Sequence, residues 1–306
     1  MEFSSNNHSN PVSSLPSPVA TLRADGKPNT QAIIAANVQH LIAQLEAGHS
    51  EVLTQYLTTM ARFHKYSLGN VLLIASQKPE ASNVAGIFTW NQLGRKVKKG
   101  EKGIMIFAPM IAKHRRQKAG EEREESDSKT TAGPALVGFR PVYVWDISQT
   151  EGKELPTLRE FSGEAGKHLA QLVQFITGRG IKFGYSKDIA PARGVSKGGS
   201  IELLPDMTEA EQFATLVHEV AHELLHKSER RSLISKTVRE TEAEAVAFVV
   251  SKAIGLETGS ASADYIQLYH GDAKLLAESL EIVQKTAAVI LGALSPEETP
   301  ASSAAA

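Results

Sequence analysis

The 306-residue chain is expected to fold as an α+β protein in two domains, and three features lead to that expectation. Apolar residues recur at helical spacing in several segments of each half. Two apolar stretches in the first half alternate like paired strands. Between the halves lies QTEGKELP (149–156), a short polar segment with the composition of a boundary. A chain of this length has two domains as its prior, and 42% hydrophobic residues is enough for sizeable cores. The front domain is therefore expected over 30–150 and the rear domain over 156–292.

The elements follow in order. Residues 1–29, rich in Ser, Asn and Pro, are expected to be a disordered tail. Ile33, Ile34, Val38, Leu41, Ile42 and Leu45 share one helical face, predicting a helix over 30–49. Further helices are expected over 50–63 and 68–76, the latter stopped by Pro79. TWNQLGRK reads as a short helix with Thr89 as its cap. GIMIFAPMI (103–111) and ALVGFRPVYVWDIS (135–148) read as partner strands joined by a flexible charged loop, 112–133. In the rear half, a helix over 161–178 precedes two short strand candidates, IKFGYS and GGSIELLP. Thr208 followed by Glu211 is a capping box and opens a helix over 208–226. Helices over 236–254 and 272–291 complete the half, and 293–306 is expected to be a loose tail.

Composition narrows the chemistry. There is no cysteine, so a metal site must use His, Asp or Glu. No apolar run is long enough to span a bilayer, and the first residues lack the layout of a secretory signal. A cytoplasmic protein with no membrane partner is expected. The net charge of −1 conceals an asymmetry: +4 over 1–110 and −5 over 155–306. Such a division suggests different partners for the two halves.

HEVAHELLH (218–226) can be read as His-Glu-x-x-His in two registers. Four helical residues advance about 400°, so His218 and His222 stand one turn apart on nearly one face. Two imidazoles there can share an ion, and Glu219 beside them can take a proton from water. Glu242 is the expected third ligand, nineteen residues beyond Glu223, with Glu240 and Glu244 as rivals on the same predicted helix. That spacing resembles the gluzincin metallopeptidases and selects the first register. It leaves His226 at the helix end, where solvation is the expected state. Tyr265, Tyr269 and His270 are candidate oxyanion stabilisers. GSIELL is a candidate edge for a substrate strand.

In the front half, Arg62, Phe63, His64, Lys65 and Tyr66 fall at a helix junction. Trp90 precedes a run of five basic residues, Arg95, Lys96, Lys98, Lys99 and Lys102, punctuated by glycines. Basic side chains that follow phosphates, beside aromatics that stack on bases, are what single-stranded nucleic acid requires. The same run also reads as a solvated turn, with Trp90 and Phe63 in the core.

FHKYSLGNVLLIASQKPEASNVAGIFTWNQLGRKVKKGEKGIMIFAP resembles the N-terminal domain of ArdC-type antirestriction proteins, shared with plasmid primase proteins of the TraC type. ATLVHEVAHELLH with ETEAEAVAFVVSKAIGLET is similar to the zincin-like domain of the same proteins and to the IrrE/ImmA peptidases. The resemblance spans about 30–290. It implies an N-terminal helical and β-hairpin domain that binds single-stranded DNA, and a C-terminal minimal gluzincin-like metallopeptidase domain. It also implies protection of incoming plasmid or mobile-element DNA from host restriction. The metal motif maps to His218, His222 and Glu242, with Glu219 as general base and zinc or manganese as the ion; a protein or peptide would be the substrate. The DNA-binding surface is implied as a region that includes Arg62, Lys65, Tyr66, Trp90, Arg95, Lys96, Lys98, Lys99 and Lys102. Two other readings stay open: a non-enzymatic DNA-binding protein with a structural metal, and a peptidase that cleaves a repressor.

Overall fold

The computed structural model describes residues 29–47, 49, 51–112, 135–155, 165–256 and 273–295. The expected tails, the charged loop and the segment with Tyr265, Tyr269 and His270 lie outside the described residues, apart from a few flanking positions. One of these is Asn29, whose side chain caps the first helix by accepting from the Ala32 N–H.

The front half opens with α1 (Thr30–Glu46), α2 (Glu51–Arg62) and α3 (Leu68–Gln77). After β1 (Val84–Ala85) comes α4 (Ile87–Gln92), which is capped by Gly86. Thr89, expected as that cap, sits within the helix, which begins three residues earlier than a cap at Thr89 would place it. β2 (Arg95–Val97) crosses the basic run, so part of the expected turn is strand. β3 (Ile104–Ala112) and β4 (Ala135–Asp146) pair antiparallel as expected, with Ile104 opposite Val144 and a register shift after Met110. β1 adds to the other side of β4. β5 (Thr150–Gly152) returns to pair with β2, so the front half includes part of the expected boundary.

β3 ends its sheet, and its outer backbone is satisfied by side chains of α3. The Asn70 amide donates to the Phe107 carbonyl and accepts from the Phe107 N–H, both at 2.9 Å. Gln77 does the same for Met105, also at 2.9 Å in each direction. The two amides stand two helical turns apart and imitate a neighbouring strand, closing an edge that could otherwise recruit another chain.

The rear half contains α5 (Ala165–Thr177), then β6 (Lys182–Tyr185), β7 (Gly194–Ser196) and β8 (Ser200–Leu203). Four helices follow: α6 (Glu209–Leu225), α7 (Ser228–Leu233), α8 (Lys236–Ala253) and α9 (Ala273–Leu294). The capping box that opens α6 forms as predicted, with Thr208 and Glu211 satisfying each other's backbone N–H groups. The sheet order is β6-β8-β7. β8 therefore has a neighbour on each side, and the expectation that GSIELL offers a free edge is corrected: the outer strands are β6 and β7.

One apolar core runs through both halves. Leu41, Leu57, Val71 and Ile74 belong to the same cluster as Val217, Val246, Val249, Ile290 and Leu291. Helix α2 packs on α8, and α9 touches α1 and α3. Burial of each large aliphatic side chain contributes about 1.5–3 kcal/mol, so this shared seam is a substantial part of the fold. A polar tie reinforces it: the Gln284 amide of α9 donates to the His64 carbonyl at 3.1 Å and the Tyr66 carbonyl at 2.7 Å. The mixed helix-and-strand class is as predicted, and the described halves meet through this common core. Among the described residues no helix is long and apolar enough to cross a membrane.

Candidate metal centre and nucleic-acid interface

α6 buries Phe213, Leu216, Val217, Val220 and Ala221, while α8 buries Val238, Ala243, Ala245, Val246 and Val249. Small residues on both helices let them pack closely. This contact brings His218, His222 and Glu240 together, with one donor atom from each lying within 4.8 Å of the others. The two Nε2 atoms are 3.1 Å apart, and Oε2 of Glu240 is 3.5 Å from each. Burial lowers the pKa of His218, and it pushes His222 down to about 4 with His218 adding repulsion. Neutral imidazoles are the form that ligates metal.

Glu242, the third ligand expected from the spacing, is not brought to this pair. Residues two apart on a helix differ by about 200° in direction, so Glu240 and Glu242 leave α8 on opposite sides. The Glu242 carboxylate is fully buried and accepts from Arg230 at 2.6 and 2.7 Å, from His226 Nε2 at 3.1 Å and from Ser279 Oγ at 2.5 Å. Burial alone would raise its pKa, but the bonds from Arg230, His226 and Ser279 outweigh burial and hold it at about 2. His226 is likewise 3% exposed rather than solvated, because the α6–α7 turn and α8 enclose it.

The buried chain fixes a tautomer. An ionised Glu242 can only accept, so Nε2 of His226, 3.1 Å away, is its donor; Nδ1 of His226 then lies 2.8 Å from Nδ1 of His222, where it can accept that ring's N–H. His222 is left with a bare Nε2 facing His218. Two such lone pairs 3.1 Å apart repel unless a cation or proton lies between them. The donor set of two imidazoles and one carboxylate suits zinc or manganese. The residues present therefore fit a divalent ion.

Glu219 lies under β7. Its carboxyl is pushed up to about 7 by burial, opposed by the Ser196 N–H that it accepts. Gly194 makes this closeness possible: a Cβ there would come within 2.9 Å of the Glu219 side chain and 2.7 Å of Thr215. Glu223, one turn further on, accepts from Ser196 Oγ and from the N–H groups of Gly198 and Gly199 at 2.6–2.9 Å.

In the front half the predicted DNA residues divide into two groups. Lys96, Lys99 and Lys102 are exposed, as are Lys65 and Lys98, the latter also donating to the Ser148 carbonyl. The guanidinium of Arg62 is held by the carbonyls of Pro79 and Ala81. Arg95 is tied to β5 and beyond through Thr150 Oγ1, the Thr150 carbonyl and the Lys153 carbonyl. Tyr66 is half-buried, edge-on to the buried Phe63. Trp90 is 2% exposed and donates to the Trp145 carbonyl, so its ring cannot stack on a base. Among the described residues of the front half the exposed aromatics are instead Phe88, Phe139 and Tyr143, none of which the basic run pointed to. Phe139 and Tyr143 share one face of β4, four residues apart. Alternation along the strand was the signal that could have found them.

Comparison with known proteins adds the following. Residues 30–139 match the family model for the N-terminal domain of anti-restriction factor ArdC. An uncharacterized Bacillus anthracis protein, pXO2-81, is 26% identical over 245 residues, covering 68% of this chain and 41% of that protein. The chain thus matches about two fifths of the length of that relative. Among solved structures, the metal-free antirestriction ArdC protein from R388 plasmid aligns with a TM-score of 0.51 at 20% identity, covering 85% of this chain and 97% of that one. The Mn(II)-bound structure of that protein aligns with a TM-score of 0.45 at 20% identity, covering 80% and 99%.

Proposed function

We propose that this chain is an ArdC-type protein, its residues 30–139 matching that family's N-terminal domain, and that it protects incoming plasmid or mobile-element DNA from restriction through two sites. The front half binds single-stranded DNA, and the rear half carries out metal-assisted peptide hydrolysis. The observation that carries the second site is the convergence of His218, His222 and Glu240 beside the buried carboxyl of Glu219.

His218, His222 and Glu240 would hold the ion, zinc or manganese. When bound, it supplies Lewis acidity that polarises the scissile carbonyl and acidifies nearby water. His226 and Glu242 keep the Nε2 of His222 free of a proton. Glu219 accepts a proton from the attacking water at its carboxylate and returns it to the leaving amine nitrogen. The Ser196 N–H orients that carboxylate. β7, an outer strand beside Glu219, is the edge along which an extended peptide would lie.

Glu219→Gln should retain the metal and lose hydrolysis by roughly 10²–10⁴-fold, measured by elemental analysis and by mass spectrometry of peptide digests. Unchanged cleavage by this variant would remove Glu219 from the mechanism. Full DNA protection without cleavage would turn the assignment toward a non-enzymatic binding protein.

For the front half, Phe139 and Tyr143 would stack bases while Lys96, Lys98, Lys99 and Lys102 follow the phosphates. Replacing both aromatics with Ala should weaken oligothymidylate binding by about 1–3 kcal/mol per stacked base. Reversing Lys98 and Lys99 to Glu should flatten the salt dependence. Fluorescence anisotropy over a salt series reads both effects, and unchanged affinity in the aromatic variant would dismiss this face.

A further inference from the structure

A cavity of about 870 Å³ opens at the C-terminal end of α6, bordered by the turn between β7 and β8 and by the end of α5. His222 forms part of its wall, so it adjoins the candidate metal centre. Its charge is opposite to that of its surroundings. Although residues 155–306 carry a net charge of −5, the lining includes Arg179, Lys197, Lys227 and Arg231. Lys197 is paired with Glu202 at 2.7 Å. Among the described residues, no carboxylate lies within ion-pair distance of Arg179, Lys227 or Arg231. The guanidinium of Arg179 is steadied 3.7 Å above the Phe175 ring.

Among the described residues the one acid in the lining is Glu223, and it cannot answer these cations. It is 7% exposed, and its carboxylate is engaged by Ser196 Oγ and by the N–H groups of Gly198 and Gly199. Glu223 thereby pins the β7–β8 turn to α6 and shapes the cavity wall. What remains is a concave space within the size range of ligand-binding clefts, with three cations at its rim.

We propose that this cavity is a specificity pocket for an acidic side chain, Asp or Glu, of a peptide laid across the metal centre. The inference rests on the peptidase reading of the neighbouring site and names its substrate class. A nucleic-acid strand is the less suitable occupant: among the described residues the lining contains no Phe, Tyr or Trp, and single strands are held by aromatic platforms as well as by charge. The pocket is also separated in sequence from the exposed aromatics of β4.

The test uses the full chain carrying Glu219→Gln and fluorescein-labelled peptides that differ at one position: Glu, Gln or Lys. Anisotropy at physiological ionic strength should rank Glu above Gln above Lys, with roughly tenfold between the extremes, the size expected for two or three exposed charge contacts. Lys227→Glu combined with Arg231→Glu changes two exposed side chains and should flatten or invert the ranking. Chelator-treated wild type should keep the ranking, because the recognising charges belong to the chain. Loss of hydrolysis and loss of ranking are therefore separate results. A chain that cleaves peptides without preferring Glu overturns the pocket and leaves the peptidase reading intact. A chain that ranks peptides but cleaves none does the reverse. If oligothymidylate displaces the Glu peptide, and the double charge reversal weakens binding of both, the cavity is a nucleic-acid site and the proposal falls.

Discussion

His222→Ala and Glu240→Ala should each lower divalent-metal affinity by more than the roughly 10–100-fold that loss of an outer hydrogen-bond partner costs, because each removes one of three protein ligands. Glu242→Gln should cost less, about 10–100-fold, because it acts on the ion only through His226 and the tautomer of His222. Competition against a chelating dye, with zinc and with manganese, gives the three affinities. The ordering decides between Glu240 and Glu242 of α8. Only Glu240 comes within 3.5 Å of both imidazoles, while Glu242 is committed to Arg230 on the other side of the helix. A Glu240→Ala protein that binds metal like wild type, alongside a Glu242→Gln protein that does not, would return the third-ligand role to Glu242.

Glu242→Ala should destabilise the fold by about 3–5 kcal/mol, the cost of leaving a buried ion pair with one member. Arg230, His226 and Ser279 all lose their acceptor in that variant. Acid should reveal the same interaction. The Glu242 carboxyl is held at about 2 against an ordinary 4.5, so the unfolded chain takes up the proton first. The stabilisation is complete above about pH 4.5 and is lost as pH falls toward 2, amounting to at most about 3 kcal/mol. Urea unfolding of wild type and Glu242→Gln from pH 7 down to pH 3 checks this. The gap between the two curves should narrow with acid. Parallel curves would mean that Glu242 is not ionised in the folded chain.

Much of the architecture was legible because it is written in periodicity. Every long helix was foreseen to within a few residues, the β3–β4 hairpin had its alternation, and Thr208 with Glu211 marked the start of α6 without ambiguity. What escaped detection is non-local. β2 and β5 are three residues each and exist because they pair across more than fifty positions. SERRSL forms α7 without any apolar stripe, yet it delivers Arg230 to Glu242. The metal motif itself was readable, but a count of nineteen residues specifies distance along the chain and not the side of a helix. The pair Glu240 and Glu244, one turn apart, carried the directional signal. Trp90 shows the same limit from the other side: composition could not tell a platform from a core residue whose indole N–H is already bonded.

The last helix makes the two ends of the molecule interdependent. Within α9, Ser279 holds the carboxylate behind the histidines, and Gln284, little more than one turn along, holds the carbonyls of the FHKY junction. A cut near residue 155 would leave each fragment with an open greasy seam and a severed polar strut. The chain should accordingly melt as one cooperative unit.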